Sequence, residues 1–462
     1  MLHRRDAMIR LGQLGLGALT LPGLLRARSA TAAETPSGFV ASGGKAKSCI
    51  LIYLWGGPPQ MDLWDPNPEA PDGIRSLYQP ISTNAPGIYV SEQMPRFARH
   101  ADKTAIIRTL SHDSDVHEAS VYRTLTGRTD PSLRVPRNMR KRSDAPNLGS
   151  VAAHFLQRAG APGAVTIPRP IGHEGVTYSG TYAGFLGPRY DPLEFAPAGE
   201  SQGPPPLAVS LPEGITDQRV LLRRGLLESL ENVDRRFQAD PPVREIDDFR
   251  ETAYGMLGGS PVKQALDLKR VDDNTRERYG RNEWGEAILT ARRLVEAGVP
   301  LVTISWMYIQ KSGNVANVWD NHGPFEGKTG YQMLEAEYCL PSLDRGFAAL
   351  MEDLAASGLL DETLVAMYGE FGRTPKINKN LGRDHWGRCQ SAVLAGGGIG
   401  GGRLHGETDS HSAYPKSDAV SPEDLIATIY HALGISPDSV IYDNEQRPHK
   451  VVDGRALTGL FG

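Results

Sequence analysis

The sequence predicts a mainly parallel β-sheet with helices on both faces, and three observations carry that expectation. Short continuous apolar runs recur at residues 49–55, 104–110, 299–306, 363–368 and 391–395. Such runs mark strands buried on both sides, not half-solvated ones. Stretches with helical periodicity at 283–297, 330–354 and 421–434 alternate with them, as crossover helices do. Polar clusters then follow the apolar runs or occupy the loops beyond: Asp62 with Asp65, His112 with His117, Asp320 with His322, and Glu370 followed by Asp384-His385. In open α/β folds the loops at the carboxyl ends of the strands share one crevice.

Taken in order, the chain begins with an address. Arg4-Arg5 precede a weakly apolar, Gly-interrupted stretch at 7–25, and Ala30-Thr31-Ala32 offers small residues for cleavage. Residues 1–32 therefore read as a Tat signal peptide, which predicts a periplasmic or secreted protein whose mature chain starts near Ala33. The stretch is short for a retained membrane helix, and no later one is long and apolar enough, so no stable span is expected after cleavage. The α/β domain is expected over 47–462. Its first strand, at 49–55, ends at Gly56-Gly57-Pro58-Pro59, and the second is at 104–110.

From 129 to 282 the alternation weakens, with breaks such as Gly203-Pro204-Pro205-Pro206 and a charged amphipathic piece at 218–237. This stretch reads as an inserted helical and irregular cap that shapes access. Regular alternation then returns. Ala287, Ala291, Leu294 and Val295 share one helical face, with Gly298 as its stop. A strand follows at 299–306, then a long helix or helix pair at 330–354. Ser421-Pro422-Glu423-Asp424 is a capped helix start, running to Gly434.

Composition narrows the partners. A net charge of -4 and a pI near 6.3 offer no basic footprint for nucleic acid. Three cysteines cannot build a disulfide framework; Cys49 and Cys339 read as small buried hydrophobes, while Cys389 lies just beyond His385. Nothing in the sequence specifies an oligomeric state. Several polar residues have bland readings. Asp65, before Pro66, is equally a turn residue or a ligand, and Asp113 and Asp115 read as caps of the following helix. His112 reads as a supporting residue, and His100, His154, His173, His431 and His449 as solvated or turn positions. The run 396–402 contains a GxGxxG spacing, but Arg403-Leu404-His405 opens no helix, so a tight loop is expected there, with His405 and His411 as weaker site candidates.

One segment matches a known pattern closely. Ser114 to Arg128 ends Leu125-Thr126-Gly127-Arg128 and resembles the sulfatase signature, whose Cys or Ser nucleophile stands eleven residues before the final Arg. That position here is His117, and Ser120 matches the signature's serine. Gly358-Leu359-Leu360-Asp361-Glu362-Thr363-Leu364-Val365 is similar to the segment entering the metal-binding strand end of sulfatases and phosphatases. Glu370 falls where those enzymes carry an aspartate ligand, and Phe371 where many place a histidine; 424–435 resembles their C-terminal helix. With Gly56-Gly57-Pro58, Trp319-Asp320-Asn321-His322-Gly323, Gly369-Glu370-Phe371-Gly372-Arg373-Thr374-Pro375 and Gly382-Arg383-Asp384-His385-Trp386, the chain resembles the domain of unknown function 1501 family, a sulfatase-like branch of the alkaline phosphatase superfamily.

That resemblance implies an alkaline phosphatase/sulfatase-like fold and a site with one or two divalent ions that attacks a phosphate or sulfate ester in line. Mapped by order, Asp320, His322 and His385 resemble one metal set, and Asp62, His117 and Glu370 a second. Asp320 and His322 alternate by two, so an extended segment turns both to one ion. Adjacent Asp384 and His385 point apart, which leaves one of the two as the ligand. Mixed oxygen and nitrogen donors suit Zn or Mn better than Mg or Ca. Arg373 and Arg383 are candidates for an anionic substrate group, since a guanidinium pairs two ester oxygens at once. His117 in place of the nucleophile alters the chemistry: it is a candidate ligand, general acid or base, or nucleophile, with Ser120 as a spare hydroxyl. Two functions follow. One is an exported metal-dependent hydrolase acting on a small anionic ester or glycan. The other is a non-hydrolytic protein that binds metal or an anionic glycan through a degenerate site.

Overall fold

The computed structural model describes residues 37–130, 140–158, 160–173, 176–194, 261–309 and 315–462, with isolated positions between 216 and 225. Val40–Gly462 folds as one compact unit. The signal peptide expected over 1–32 lies outside the described residues, as does the piece at 218–237 apart from isolated positions.

Eight strands among the described residues form the central sheet. In chain order they are β1 (Ser48–Tyr53), β2 (Thr104–Leu110), β3 (Ala164–Ile167), β4 (Leu193–Glu194), β5 (Leu301–Ser305), β6 (Thr363–Tyr368), β7 (Gln390–Ala395) and β8 (Arg403–His405). Their order across the sheet is β8-β2-β7-β6-β1-β5-β3-β4. β1 is central and pairs in parallel with both neighbours, Cys49 lying opposite Leu301 on one side and Leu364 on the other. All six of its residues are buried, which is why it reads as an unbroken apolar run. Among the described strands only β7 runs against the rest, antiparallel to both β6 and β2. Its direction has a consequence for the site. The segment entering β7 lies at the same sheet edge as the segments leaving its neighbours.

Helices cover both faces. Ile50, Ile52 and Leu54 pack with Val302, Ile304, Val365 and Met367 against α3 (Glu283–Glu296) and α4 (Leu340–Ala356), through residues such as Ile288, Leu294, Phe347 and Leu350. Truncating one of these side chains to Ala costs about 2–5 kcal/mol. The opposite face carries α1 (His117–Thr126), α2 (Leu148–Leu156) and α5 (Pro422–Ala432). There the Tyr53 hydroxyl reaches Thr124 Oγ1 at 2.7 Å and the Tyr368 hydroxyl donates to Thr124 O at 3.1 Å, anchoring α1 on the sheet.

Local chemistry sets the helix ends. Asn282 caps α3 by accepting from Gly285 N–H, and Gly298 follows it at φ 93°. Ser421 and Asp424 form a reciprocal capping box on α5, with Pro422 in the first turn. The stretch at 330–354 is a helix pair, Gly330–Glu335 and α4. Pro341 explains the break: proline is at home in the first turn of α4 but would interrupt a helix continued from 330.

The stretch 129–282 is not wholly an insertion. β3, β4 and α2 fall within it and belong to the central domain, with Val165 in parallel register opposite Val302 and opposite Leu193. β3 is four residues long and followed by Pro168, too brief to stand out as a strand. No helix among the described residues is long and apolar enough to cross a membrane.

Candidate functional site

The carboxyl ends of β1, β2, β5 and β6 deliver the site. β1 runs into Gly56-Gly57, which pass so close to neighbouring backbone that a side chain has no room. A Cβ on Gly56 would stand 2.3 Å from Asp320 N, and its φ is 118°. Gly56 N–H donates to both Glu370 oxygens, at 2.9 and 3.1 Å. Glu370, two residues past β6, is fully buried. β2 leads to His112 and on to His117, the first residue of α1. The segment into β7 supplies His385.

Asp320 is the centre of the arrangement. His117 Nε2 lies 3.4 Å from Oδ2, His322 Nε2 3.2 Å from Oδ2, and His385 Nε2 3.0 Å from Oδ1. Arg373 Nη2 donates to Oδ1 at 2.7 Å. Asn317 Nδ2 reaches both Asp320 Oδ2 (3.4 Å) and His117 Nε2 (3.3 Å). Phe371 backs the pair of His117 and His385, its ring centroid 4.8 and 4.6 Å from theirs. Donor atoms of His117, Asp320 and His385 all lie within 4.8 Å of one another, so these residues could hold a metal ion.

The other ring nitrogens decide what the Nε2 atoms are. His117 Nδ1 meets Glu370 Oε1 at 2.6 Å, His385 Nδ1 meets Asp115 O at 3.0 Å, and His322 Nδ1 meets Gly323 O at 3.2 Å. Each of these oxygens can only accept, so each Nδ1 carries the proton. In a neutral ring Nε2 is then a lone pair, and all three lone pairs face a carboxylate that has only lone pairs to offer. Asn317 Nδ2–H relieves that of His117 at 3.3 Å, while those of His322 and His385 keep the mismatch. Two remedies exist. Either each ring takes a second proton, which sets three imidazolium groups and Arg373 against two carboxylates, or one cation sits among them. The donor set fits the second. Ligand atoms about 2.0–2.1 Å from a tetrahedral ion stand roughly 3.3–3.4 Å apart. The donor atoms of His117, Asp320 and His385, one from each residue, lie within 4.8 Å of one another, a spread that an ion could draw together. Imidazoles whose Nδ1–H is held by an acceptor are also the usual form of metal-binding histidines.

The electrostatics of the protein alone show the same demand for positive charge. Burial opposes a charged His117, but hydrogen bonds to Asp320 and Glu370 outweigh it and push its pKa up to about 9. The bond to Asp320 raises His322 as well. Burial would raise Asp320, yet Arg373 and the three imidazoles hold it well below the carboxylate range.

Five expected residues therefore meet: His117, Asp320, His322, Glu370 and His385. The two metal sets implied by sequence order merge into one cluster around Asp320, with Glu370 gripping His117 from behind. The rest lie elsewhere. Asp62 is clamped by Arg383, whose Nε and Nη2 donate to its two oxygens at 2.8 and 3.0 Å, and by the Tyr331 hydroxyl at 2.8 Å. Arg383 spends its remaining donors on the carbonyls of Ile74, Thr374 and Pro375 and is buried, so it offers nothing to a substrate. Arg373 is buried too. It donates to Gly57, Arg383, Gly56 and Trp319 carbonyls besides Asp320, and holds the site rather than a ligand. Asp384 is exposed and accepts from Asn378 Nδ2 at 2.9 Å. Ser120 is buried, its hydroxyl donating to Ser114 O at 3.3 Å.

Further differences concern the neighbours. Asp113 and Asp115 do not cap α1, whose N-cap is Val116 with no side-chain bond. Asp113 instead pairs with Arg123 at 2.9 Å, and Asp115 Oδ1 accepts from Gly387 N–H at 2.6 Å. His112 Nε2–H donates to Glu370 O at 2.6 Å, a supporting position, and burial lowers its pKa. Asp65 bonds Arg108 at 3.3 Å and the Thr408 hydroxyl at 2.6 Å. Cys389 is buried, which pushes its thiol pKa up. His405 lies on β8, and neither it nor His411 joins the cluster. Asn317 was not singled out by sequence, and Asp115 was read only as a helix cap. The only signal for Asn317 was its position three residues before Asp320.

Fold and site together define an α/β protein with a mainly parallel sheet and, at one sheet edge, a His/Asp group able to hold a metal ion. The chain belongs to the family described as Protein of unknown function (DUF1501), whose model matches residues 46–461. Among solved structures it is similar to the phosphonate monoester hydrolase of Silicibacter pomeroyi, at 14% identity and TM-score 0.36, covering 90% of this chain and 76% of that one. It is also similar to a putative sulfatase from Bacteroides thetaiotaomicron (10% identity, TM-score 0.37, 90% and 74% covered). A third similar structure is the C-terminal periplasmic domain of EcEptC from Escherichia coli in complex with Zn (11%, TM-score 0.37, 92% and 98%). No curated protein matches the chain by sequence.

Proposed function

We propose that this protein is an exported, metal-dependent hydrolase acting on sulfate or phosphate esters. The supporting observation is the convergence of three imidazole Nε2 atoms on Asp320, with each Nδ1 committed to an acceptor. His117, Asp320 and His385 would hold a divalent ion, Zn or Mn by the mix of nitrogen and oxygen donors. Such an ion, when bound, supplies Lewis acidity toward the anionic oxygens of an ester. The chain's own residues do the rest. Glu370 fixes the tautomer and orientation of His117, and Arg373 locks the Asp320 carboxylate from the buried side. His322, with 47% of its side chain exposed, is the imidazole an incoming ester meets first. Export through the leader at 1–32, with 129–282 contributing in part to a cap, completes this reading.

A second reading rests on its own observation. The nucleophile position of the sulfatase-like signature is His117, bound on both ring nitrogens, and Ser120 is buried and bonded away from the cluster. That arrangement supports a non-hydrolytic protein that binds metal and an anionic glycan. A panel of aryl sulfates, phosphate monoesters and phosphate diesters, tested on Zn- and Mn-loaded protein, separates the two. Hydrolysis is expected to appear on at least one ester and to fall at least about 100-fold in His322→Ala. Bound metal with no turnover across the panel would favour the second reading.

A further inference from the structure

Arg373 and Arg383 spend their donors inside the fold, so neither offers a guanidinium to a further anionic group of a substrate, and another arginine does. Arg388, three residues past His385, donates from Nη1 to His112 O at 3.1 Å and pairs with no carboxylate among the described residues. It lines an open groove of about 560 Å³ together with His112, Asp113, Arg123, Tyr414 and Pro415. The other charges in the groove cancel locally, because Arg123 is held by Asp113 at 2.9 Å and by Glu423 at 2.8 Å. Arg388 is thus the free cation of the groove.

Aromatic rings lie beside the same groove. Tyr414 is 49% exposed, an unusual setting for a large ring. Its centroid lies 5.5 Å from that of Trp386, edge to face, and Trp386 directly follows His385. The Trp386 Nε1–H is spent on Ala413 O at 2.7 Å, which fixes the indole and leaves its faces for packing. A fixed aromatic pair with one member open to solvent suits a flat ligand with an apolar face and a polar rim, as a pyranose ring has. Arg388 sits in the turn after the His385–Trp386 strand and is tied to the cluster through His112, whose carbonyl accepts from Arg388 and whose ring donates to Glu370 O.

We infer that the Tyr414–Arg388 groove is a binding subsite for the sugar unit next to the ester, and that Arg388 grips a second sulfate or carboxylate on that unit. The substrate class is then a glycan carrying at least two anionic groups. The inference rests on reading the cluster as an ester site, and a binding measurement separates the two claims. Calorimetric titration of the full chain would use disaccharides bearing one sulfate ester plus, on the neighbouring ring, a second sulfate, a carboxylate or no charge. The doubly charged ligands are expected to bind at least about tenfold tighter than the singly charged one, with Arg388→Gln erasing that difference and Tyr414→Ala weakening all three. Lys47→Gln, at the other end of β1, serves as a control for lost surface charge. Equal affinity for all three disaccharides, or an undiminished preference in Arg388→Gln, would overturn the inference. Preferential binding without any ester turnover would uphold the subsite while removing the hydrolase reading.

Discussion

Two carboxylates stand at the same edge of the sheet, each gripped by a buried arginine, and their surroundings are opposite: Asp62 is buried and Asp320 is partly open. Asp62 is saturated: Arg383 takes both oxygens, Tyr331 adds a hydroxyl, and the side chains of the ion pair are at most 1% exposed. Asp320 is oversupplied, with one arginine and three imidazoles on its two oxygens and 15% of its side chain reachable by solvent. A closed, fully bonded ion pair holds a loop in place. An open one with surplus lone pairs could accept a cation. The comparison separates a saturated aspartate from an unsaturated one, although both follow apolar strands in the sequence.

The largest effect should come from breaking the closed pair. Asp62→Ala strands Arg383 in the interior without its counter-charge, and a loss of about 3–5 kcal/mol is expected in urea unfolding. Metal affinity of the molecules that remain folded should not change. If Asp62→Ala instead released metal while keeping its stability, the two carboxylates would have to exchange roles. Next comes the open cluster. His385→Ala should weaken Zn binding at least about 100-fold by competition with a chelating dye, with little change in unfolding midpoint. A smaller effect is expected of Glu370→Gln, which keeps an acceptor for His117 Nδ1–H but removes the charge. Roughly tenfold weaker Zn binding is the expected outcome.

The smallest effect sharpens the contrast among histidines. His154, on α2, has its pKa lowered to about 4 by burial and by nearby Arg189, the reverse of His117. It stays neutral in the folded chain, while the unfolded chain takes up a proton below about pH 6.5. Its stabilising contribution is therefore complete above about pH 6.5 and is lost as the pH falls toward 4. His154→Gln should reduce this acid sensitivity, seen as a flatter unfolding midpoint between pH 6.5 and 4. An unchanged slope would mean that the imidazole reaches solvent.

Much of the fold was legible because its signals are local. Buried parallel strands write themselves as apolar runs, and Ser421 with Asp424 announces a helix start within four residues. What escaped was set by distance. β3 is only four residues long, and nothing nearby says that it joins the sheet beside β5. The antiparallel direction of β7 leaves no local trace. For the site, His117, Asp320, His322, Glu370 and His385 could be picked out as residues with metal-binding chemistry. Asp62 could be picked out on the same grounds, because its actual partner, Arg383, is 321 positions away. Arg373 and Arg383 looked available for the same reason. A guanidinium in a loop shows its charge in the sequence but not the carbonyls that consume its donors, and Arg388, which keeps donors to spare, looks no different.

The most direct test is elemental analysis of the purified full chain, wild type beside Asp320→Asn, with circular dichroism to establish that both are folded. About one Zn or Mn per chain is expected in the wild type and almost none in the variant. Equal metal in both, or none in the wild type after Zn or Mn is offered, would contradict a cation held among His117, Asp320 and His385.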